Sequence, residues 1–216
     1  MKNKTPDFAY HMTKFFTEYL PIQRNLSPNS IATYRDTFRL LLLFYDTEKH
    51  IKPNLLTLDM LNVQQIEDFM LWLKKERNCG ASTCNQRLGA LKSFFRYLQF
   101  ALPDCALQCQ ENLAIRPMKQ PEPGLKYLTI DGIKLLLEQP DIKTKYGRRD
   151  LAILSLMYDT GARVQEIADI KIVHIRFSAP ATIRITGKGD KTRVVPLLSR
   201  TEDILKQYIK DFKIDA

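Results

Sequence analysis

Apolar side chains recur at helical spacing through the first half of the chain. Between residues 31 and 45 they fall three, four or one positions apart, and Ser27 followed by Pro28 is typical of a helix start. A shorter stripe precedes this helix, and two longer stripes follow it, beginning near Asn62 and near Ser82. Four amphipathic helices with short connections predict a compact bundle.

A different pattern follows this predicted bundle. Three prolines and a glycine fall within residues 116–126. Because each proline removes an amide donor and fixes φ, we expect this segment to be an extended linker. Beyond it, apolar spacing predicts a helix after Thr129, a helix over residues 150–158 that Gly161 interrupts, and a helix from about Val164. These helices open a second domain.

After residue 170 the apolar period changes from helical to alternating. Residues 174–177, 182–186 and 192–195 alternate or are rich in β-branched side chains, and turn residues separate them. This pattern predicts a small antiparallel sheet of two or three strands. A last helix is expected to carry one apolar face, formed by Ile204, Leu205, Tyr208, Ile209 and Phe212.

The composition is that of a globular protein. Of the 216 residues 44% are hydrophobic and 26% are charged, which excludes a disordered chain, a collagen and a coiled-coil rod. The longest apolar run, residues 40–45, is too short to span a bilayer, and the first residues do not resemble a secretory signal. Four cysteines without CxxC spacing favour free thiols, no metal site and a reducing, cytoplasmic location.

The excess of basic residues is unevenly distributed. The chain has 33 Lys and Arg against 24 Asp and Glu, a net charge of +9. No acid lies between residues 77 and 103, where Arg87, Lys92 and Arg96 are expected to project outwards from the fourth helix. Residues 171–200 carry seven basic residues and one acid. One acid-poor zone in each domain would suit a clamp around duplex DNA, the alternative being a solvated helix face and a cationic hairpin.

Two short segments carry residues suited to phosphate chemistry. In residues 160–167, TGARVQEI, Arg163 follows a glycine break at a helix start, and a guanidinium fork favours a phosphate. Glu166, three residues on, can pair with Arg163 or cap the helix. In residues 187–197, GKGDKTRVVPL, Lys188 stands between two glycines at a strand turn, where a lysine is mobile and can reach a bound group.

Both segments resemble motifs of the tyrosine site-specific recombinases, the phage integrase family. The first resembles that family's TGxRxxEL box and the second its GKGxKxRxVPL hairpin, while the N-terminal half is similar to its helical core-binding domain. The resemblance implies a mainly α fold. It implies a SAM-like helical core-binding bundle over residues 1–115, the linker over 116–126, and a partial α+β catalytic domain with a small antiparallel sheet over 127–216.

The resemblance also implies roles for particular residues. Arg163 would bind the scissile phosphate and stabilise its transition state, Lys188 would protonate the 5′-oxygen leaving group, and Glu166 would brace the arginine box. The family's reaction is a transesterification by a tyrosine, carried out in a homotetramer on double-stranded DNA without a metal or other cofactor. Residues expected to contact DNA are Thr83, Asn85, Arg87, Lys92, Lys191 and Arg193.

Further motifs of the family do not follow the hairpin in this sequence. A His-x-x-Arg box, a later His or Trp and the nucleophilic tyrosine are missing after Lys188, and the one tyrosine there, Tyr208, falls on the apolar face of the last helix. We therefore expect these 216 residues to bind DNA but not to cleave it. We also expect the second domain to expose an apolar patch larger than a few hundred Å².

Two alternatives remain at this point. One is a non-catalytic DNA-binding regulatory module derived from an integrase. The other is a metal-dependent nuclease, although the spacing of its candidate carboxylates matches no common metal site. Those carboxylates are Asp159, Glu166, Asp169 and Asp190.

Overall fold

The computed structural model describes residues 7–120, 124, 127–187 and 189–214. The chain divides into two compact units, unit 1 over Met1–Pro123 and unit 2 over Gly124–Ala216. The division falls within the stretch where the sequence predicts a linker, and each unit has an apolar core of its own. Over the described ranges, no helix is long and apolar enough to cross a membrane.

Unit 1 is a helical bundle. Its α-helices are α1 (Phe8–Lys14), α2 (Pro28–Glu48), α3 (Val63–Lys75), α4 (Ala81–Ala101) and α5 (Ala106–Ala114). Helix α1 continues directly into a π-helical segment, Phe15–Gln23, which contains Pro21. Short 3₁₀ turns connect α2 to α3 and α4 to α5. The four helices that the apolar stripes predict are therefore present.

Two helix starts in unit 1 follow the predicted signals. Ser27 is the N-cap of α2, and its hydroxyl oxygen accepts the N–H of Ser30 at 3.4 Å. Asn62 is the N-cap of α3, and its side-chain oxygen accepts the N–H of Gln65 at 3.1 Å. Each cap satisfies an amide that the first helical turn leaves unpaired, and such a cap contributes about 1 kcal/mol.

The core of unit 1 is largely aromatic. The ring of Phe94 on α4 lies 5.2 Å from the rings of Phe15 and Phe38 and 5.8 Å from that of Phe8. All three pairs are edge-to-face, the arrangement that the ring quadrupoles favour. Phe94 therefore joins the first, second and fourth helices of the bundle at one buried point.

Helix α5 is not among the predicted elements. Its Asn112 is fully buried and donates from Nδ2 to the carbonyl of Leu61 at 2.8 Å. Gln108 donates from Nε2 to the carbonyl of Leu58 at 2.8 Å. Buried carbonyls need hydrogen-bond donors, and α5 supplies them to the irregular stretch that leads into α3.

Unit 2 combines helices with a small sheet. Its elements are α6 (Ile130–Glu138), α7 (Lys145–Thr160), α8 (Val164–Ala168), β1 (Ile175–Arg176), β2 (Thr182–Gly187), β3 (Lys191–Pro196) and α9 (Ser199–Phe212). The strands form an antiparallel sheet in the order β1-β2-β3, which confirms the predicted sheet. Helix α7 begins earlier than expected because Thr144 caps it, its hydroxyl oxygen accepting the N–H of Gly147 at 2.9 Å.

The core of unit 2 is small. Among the described residues its buried apolar members are Ala152, Leu156, Ala162, Ile183, Ile185 and Leu205. Helix α6 contributes no buried residue. An apolar groove of about 620 Å³ opens beside this core, lined by side chains from α7, α8, β1, α9 and the segments next to them. The groove lies in the unit where the sequence predicts exposed apolar surface, and the size of that patch stays a prediction.

Candidate active site

Arg163 lies at a sharp corner between α7 and α8. Gly161 ends α7 in the left-handed conformation with φ of 60°, which a glycine adopts without strain, and its N–H donates to the carbonyl of Met157. The hydroxyl oxygen of Thr160 accepts the N–H of Ala162 at 3.2 Å. These contacts set the direction of the chain, and Arg163 becomes the N-cap of α8 as the sequence predicts.

The carboxylate of Glu166 holds Arg163 at two points. Oε2 accepts the main-chain N–H of Arg163 at 3.0 Å, and Oε1 accepts its guanidinium Nη1 at 2.9 Å. Oε2 also accepts Nη2 of Arg193, on β3, at 2.8 Å. The Glu166 side chain is only 5% exposed. Pairing with Arg163 and capping of the helix, which the sequence offered as alternatives, therefore occur together.

This cluster keeps Glu166 ionised. The hydrogen bond from Arg193, followed by the main-chain and side-chain donors of Arg163, lowers the pKa of Glu166 from 4.5 to about 2, against an opposing effect of burial. The same pair raises the pKa of Arg193. One negative charge thus stands between two positive charges, and the cluster as a whole stays cationic.

Strand β2 ends against the same carboxylate. A Cβ atom on Gly187 would lie 2.6 Å from Oε1 of Glu166, closer than side chains approach, so the glycine permits this contact. Lys188, the next residue in the sequence, lies outside the described residues. Its role as the general acid therefore stays a prediction.

The guanidinium of Arg163 is open to solvent. Its side chain is 77% exposed although Nη1 is bonded to Glu166. The planar fork of a guanidinium suits bidentate binding of phosphate oxygens, and a fork oriented by a buried carboxylate presents its remaining donors in a defined direction. The arrangement is able to bind a phosphate group at the surface of unit 2.

Two of the predicted DNA contacts in unit 1 are bound to the main chain of the same unit. The side-chain oxygen of Asn85 accepts the N–H of Met118 at 2.8 Å, and its Nδ2 donates to the carbonyl of Met118 at 2.8 Å. Lys92 donates from Nζ to the carbonyl of Ile115 at 2.6 Å. Burial also lowers the pKa of Lys92. The expectation that Lys92 projects outwards is therefore wrong.

The other predicted DNA contacts differ in exposure. On α4, Arg96 is exposed as expected, whereas Arg87 is half-buried with its Nε atom inside the surface. Thr83 is half-buried in the first turn of the same helix. On β3, Lys191 is exposed, and Arg193 is engaged with Glu166.

Three of the four carboxylates of the nuclease alternative have separate partners. Asp159 accepts the main-chain N–H of Leu198 at 2.8 Å, Asp169 accepts the side-chain amide of Gln165 at 3.0 Å, and Glu166 binds the two arginines. Over the ranges that the structure describes, no group of three or more His, Cys, Asp and Glu could hold a metal ion. Among the described residues, the four cysteines form no disulfide bond.

Two protein-family models match the chain. The phage integrase N-terminal SAM-like domain matches residues 14–100, and the phage integrase family matches residues 126–215. The chain belongs to the phage integrase family. The second match contains Arg163, Glu166 and the β2–β3 hairpin, so the cluster described above lies within the residues that match the phage integrase family model.

Curated relatives of this integrase-family chain are recombinases by name. It is 34% identical over 208 residues to the putative integrase/recombinase y4rC of Sinorhizobium fredii (strain NBRC 101917 / NGR234), which covers 96% of this chain and 63% of the relative. It is 31% identical over 198 residues to the tyrosine recombinase XerD of Listeria innocua, a match that covers 91% of this chain and 63% of that relative. The chain thus spans a little under two thirds of the length of these relatives.

Solved structures of tyrosine recombinases have the same fold. The XerH recombinase bound to difH in a pre-cleavage complex matches with a TM-score of 0.63 at 23% identity, over 88% of this chain and 54% of that one. The Tn1549 transposon integrase in complex with transposon right end DNA matches with a TM-score of 0.65 at 15% identity, over 93% and 65%. Both likenesses establish the integrase fold of the chain.

Proposed function

We propose that this chain is the DNA-binding part and the first part of the catalytic domain of a tyrosine recombinase that acts on double-stranded DNA. The observation that carries the proposal is the exposed guanidinium of Arg163, held at two points by the buried carboxylate of Glu166 within the family's arginine box. The XerH and Tn1549 integrase complexes, which contain DNA, support duplex DNA as the partner.

In this proposal Arg163 binds the scissile phosphate. Its remaining N–H donors stabilise the negative charge that builds up on the phosphate oxygens in the pentavalent transition state. Lys188 is the proposed general acid, which gives its proton to the 5′-oxygen as that oxygen leaves. In the complete protein a tyrosine hydroxyl forms the new ester with the 3′-phosphate, and strand exchange takes place in a homotetramer. This chemistry needs no cofactor.

These 216 residues alone are proposed to bind DNA without forming a covalent link to it. Tyr208, the only tyrosine after Lys188 in the sequence, is half-buried on α9 with its ring centroid 4.4 Å from that of Phe212. A phenol packed in this way is poorly placed to attack a phosphate. The same placement favours the second candidate, a non-catalytic DNA-binding module, which differs in that no form of the protein would cleave DNA.

Gel shifts over a series of salt concentrations, with DNA from the flanks of the gene, test the binding proposal. The Arg163→Gln variant is expected to reduce the slope of log K against log salt concentration by about 0.9, the value for one phosphate contact. Arg184→Gln, which removes an exposed arginine from β2, is the matched control and is expected to change the slope less. An unchanged slope in Arg163→Gln would contradict the proposal.

A suicide substrate, which traps a cleaved strand on the protein, tests the catalytic part. The 216-residue chain is expected to give no covalent product because Tyr208 is packed on α9. A covalent product that disappears in Tyr208→Phe would show that this tyrosine is competent and that the proposal for the isolated chain is wrong.

A further inference from the structure

Arg193 lies on the inward face of the β2–β3 hairpin. In the antiparallel register it is paired with Ile185, and residues directly opposite each other share a face of the sheet. Ile185 is 1% exposed and Ile183, two residues earlier, is fully buried, so this face packs on the core of unit 2. Thr192 and Val194 alternate onto the outer face and are exposed. Direct contact with DNA, which the sequence predicts for Arg193, is at odds with this orientation.

The guanidinium of Arg193 instead ends on Glu166. Its Nη2 lies 2.8 Å from Oε2, the same oxygen that accepts the main-chain N–H of Arg163 at 3.0 Å. The other oxygen, Oε1, bonds to the Arg163 guanidinium and lies against the backbone of Gly187. One carboxylate therefore contacts both strands of the hairpin and the start of α8.

We propose that Arg193 is a positioning residue that holds the β2–β3 hairpin beside Arg163 through the carboxylate of Glu166. This inference rests on the proposed function, in which Arg163 and Lys188 act on one phosphate. Groups that act together on one phosphate must keep their separation to within a fraction of an ångström. The bridge links the segment of Arg163 to the strand that precedes Lys188 through a single buried side chain.

The first test follows the protonation of Glu166 in the 216-residue chain without DNA, by NMR of its side-chain carboxyl carbon over a range of pH. Arg193→Gln removes the cation closest to the carboxylate, so the pKa of Glu166 is expected to rise above the wild-type value of about 2. Arg193→Lys keeps the charge and is expected to restore most of the lowering. Arg184→Gln, on the outer face of the same hairpin, is expected to leave the titration unchanged.

Amide hydrogen exchange measures how strongly the bridge stabilises the hairpin itself. Amide exchange in β2 and β3 is expected to be up to about fivefold faster in Arg193→Gln, the upper limit for a partly exposed ion pair, and to return towards wild type in Arg193→Lys. Arg184→Gln again serves as the control. If Arg193→Gln leaves both the Glu166 titration and the exchange rates as in wild type, the proposal is overturned.

DNA binding separates positioning from direct contact. With a random-sequence duplex of about 30 bp as the probe, Arg193→Gln is expected to keep the wild-type salt slope, whereas a lost phosphate contact would reduce that slope by about 0.9. A reduction of that size would overturn the proposal in favour of a DNA contact. Absence of salt-dependent binding by the wild-type chain would instead remove the proposed function, while the measurements without DNA would still stand.

Gly187→Ala tests the same bridge from the other strand, and it decides the question if Arg193→Gln does not fold. The added methyl group would meet Oε1 of Glu166, and that oxygen has little freedom to move because Arg163 holds it. We expect the pKa of Glu166 to rise and exchange in the hairpin to accelerate. A titration and exchange pattern identical to wild type would overturn the bridge.

Discussion

The two units of this chain are stabilised in different ways. Unit 1 has more than twenty buried apolar residues in a core built around aromatic rings, whereas the core of unit 2 has six such residues among those described, two of them alanines. Unit 2 compensates with polar links between its elements, among them the bridge from Arg163 through Glu166 to Arg193, whose central carboxylate is buried. The residues proposed to act on the phosphate therefore lie in the unit with less apolar burial.

The largest effect is expected from Phe94→Ala. This change leaves a cavity among the rings of Phe8, Phe15 and Phe38, and truncation of a buried phenylalanine costs about 3–5 kcal/mol. Urea unfolding followed by the fluorescence of Trp72, the only tryptophan, measures the free energy of unfolding of unit 1. Phe100→Ala on the same helix, where the side chain is 85% exposed, is the control and is expected to be nearly neutral. Equal losses in the two variants would refute an aromatic core centred on Phe94.

A smaller loss is expected from Leu205→Ala in unit 2. The side chain is buried, but the groove beside it lets the site relax, so we expect about 2–3 kcal/mol, at the low end for a leucine. NMR signals of the Ile183 and Ile185 methyl groups report the unfolding of unit 2, and Leu198→Ala, an exposed leucine, is the control. The fluorescence midpoint of Trp72 should not move. If it moves with unit 2, the two units unfold together and the comparison between them fails.

Asn85→Ala is expected to cost about 1–2 kcal/mol in unit 1, because it removes both hydrogen bonds to Met118. Asn85→Asp keeps an acceptor for the Met118 N–H and loses the donor, so an intermediate loss is expected. Gln86→Ala, exposed on the same helix, is the control. Urea unfolding followed by Trp72 fluorescence measures all three. If Asn85→Ala lowers the free energy of unfolding no more than Gln86→Ala does, the hydrogen bonds to Met118 do not stabilise unit 1, and Asn85 is again a candidate for contact with DNA.

The last prediction is a loss of stability that begins only when the pH falls below about 4.5. Since the folded pKa of Glu166, about 2, lies below its ordinary value of 4.5, its contribution to the stability of unit 2 is complete above pH 4.5 and is lost as the pH falls towards 2. Among the described residues, the charged groups that face this carboxylate are Arg163 and Arg193. Urea midpoints of unit 2 over this range should fall with pH, and Arg193→Gln should fall less steeply. Parallel curves for the two proteins would show that Arg193 does not set this pKa.

The sequence predicts the elements whose signals are local. Helix α2 has a capping serine, a proline at its first position and a long apolar stripe, and all three lie within one segment. Helix α5 has no such stripe. Its position depends on a hydrogen bond from the buried Asn112 to a carbonyl 51 residues away in sequence, which no local pattern predicts. The first turn of α7 is polar, so the apolar pattern does not reveal where this helix begins. Its start is fixed by the cap at Thr144.

The same distinction applies to the candidate site. Arg163 and Glu166 are three residues apart, so their pairing follows from helical spacing. Arg193 is 27 residues from Glu166, and its position depends on the register of the hairpin, which turn residues alone do not define. Alternation along β3, which puts Arg193 on the face of Val195, was the available signal. The contact between Asn85 and Met118 spans 33 residues and left no signal in the local pattern.

The double hold of Glu166 on Arg163 has a consequence for binding entropy. An arginine that is free at a surface loses up to about 2 kcal/mol of rotamer entropy when a ligand fixes it. Here the main-chain N–H and the guanidinium of Arg163 bind the same carboxylate, so much of that freedom is already lost when unit 2 folds. The carboxylate also offsets part of the arginine's positive charge. At the corner between α7 and α8, the long-range attraction between Arg163 and an anion is therefore weaker than for a free arginine. In return, the side chain is already ordered before the anion binds.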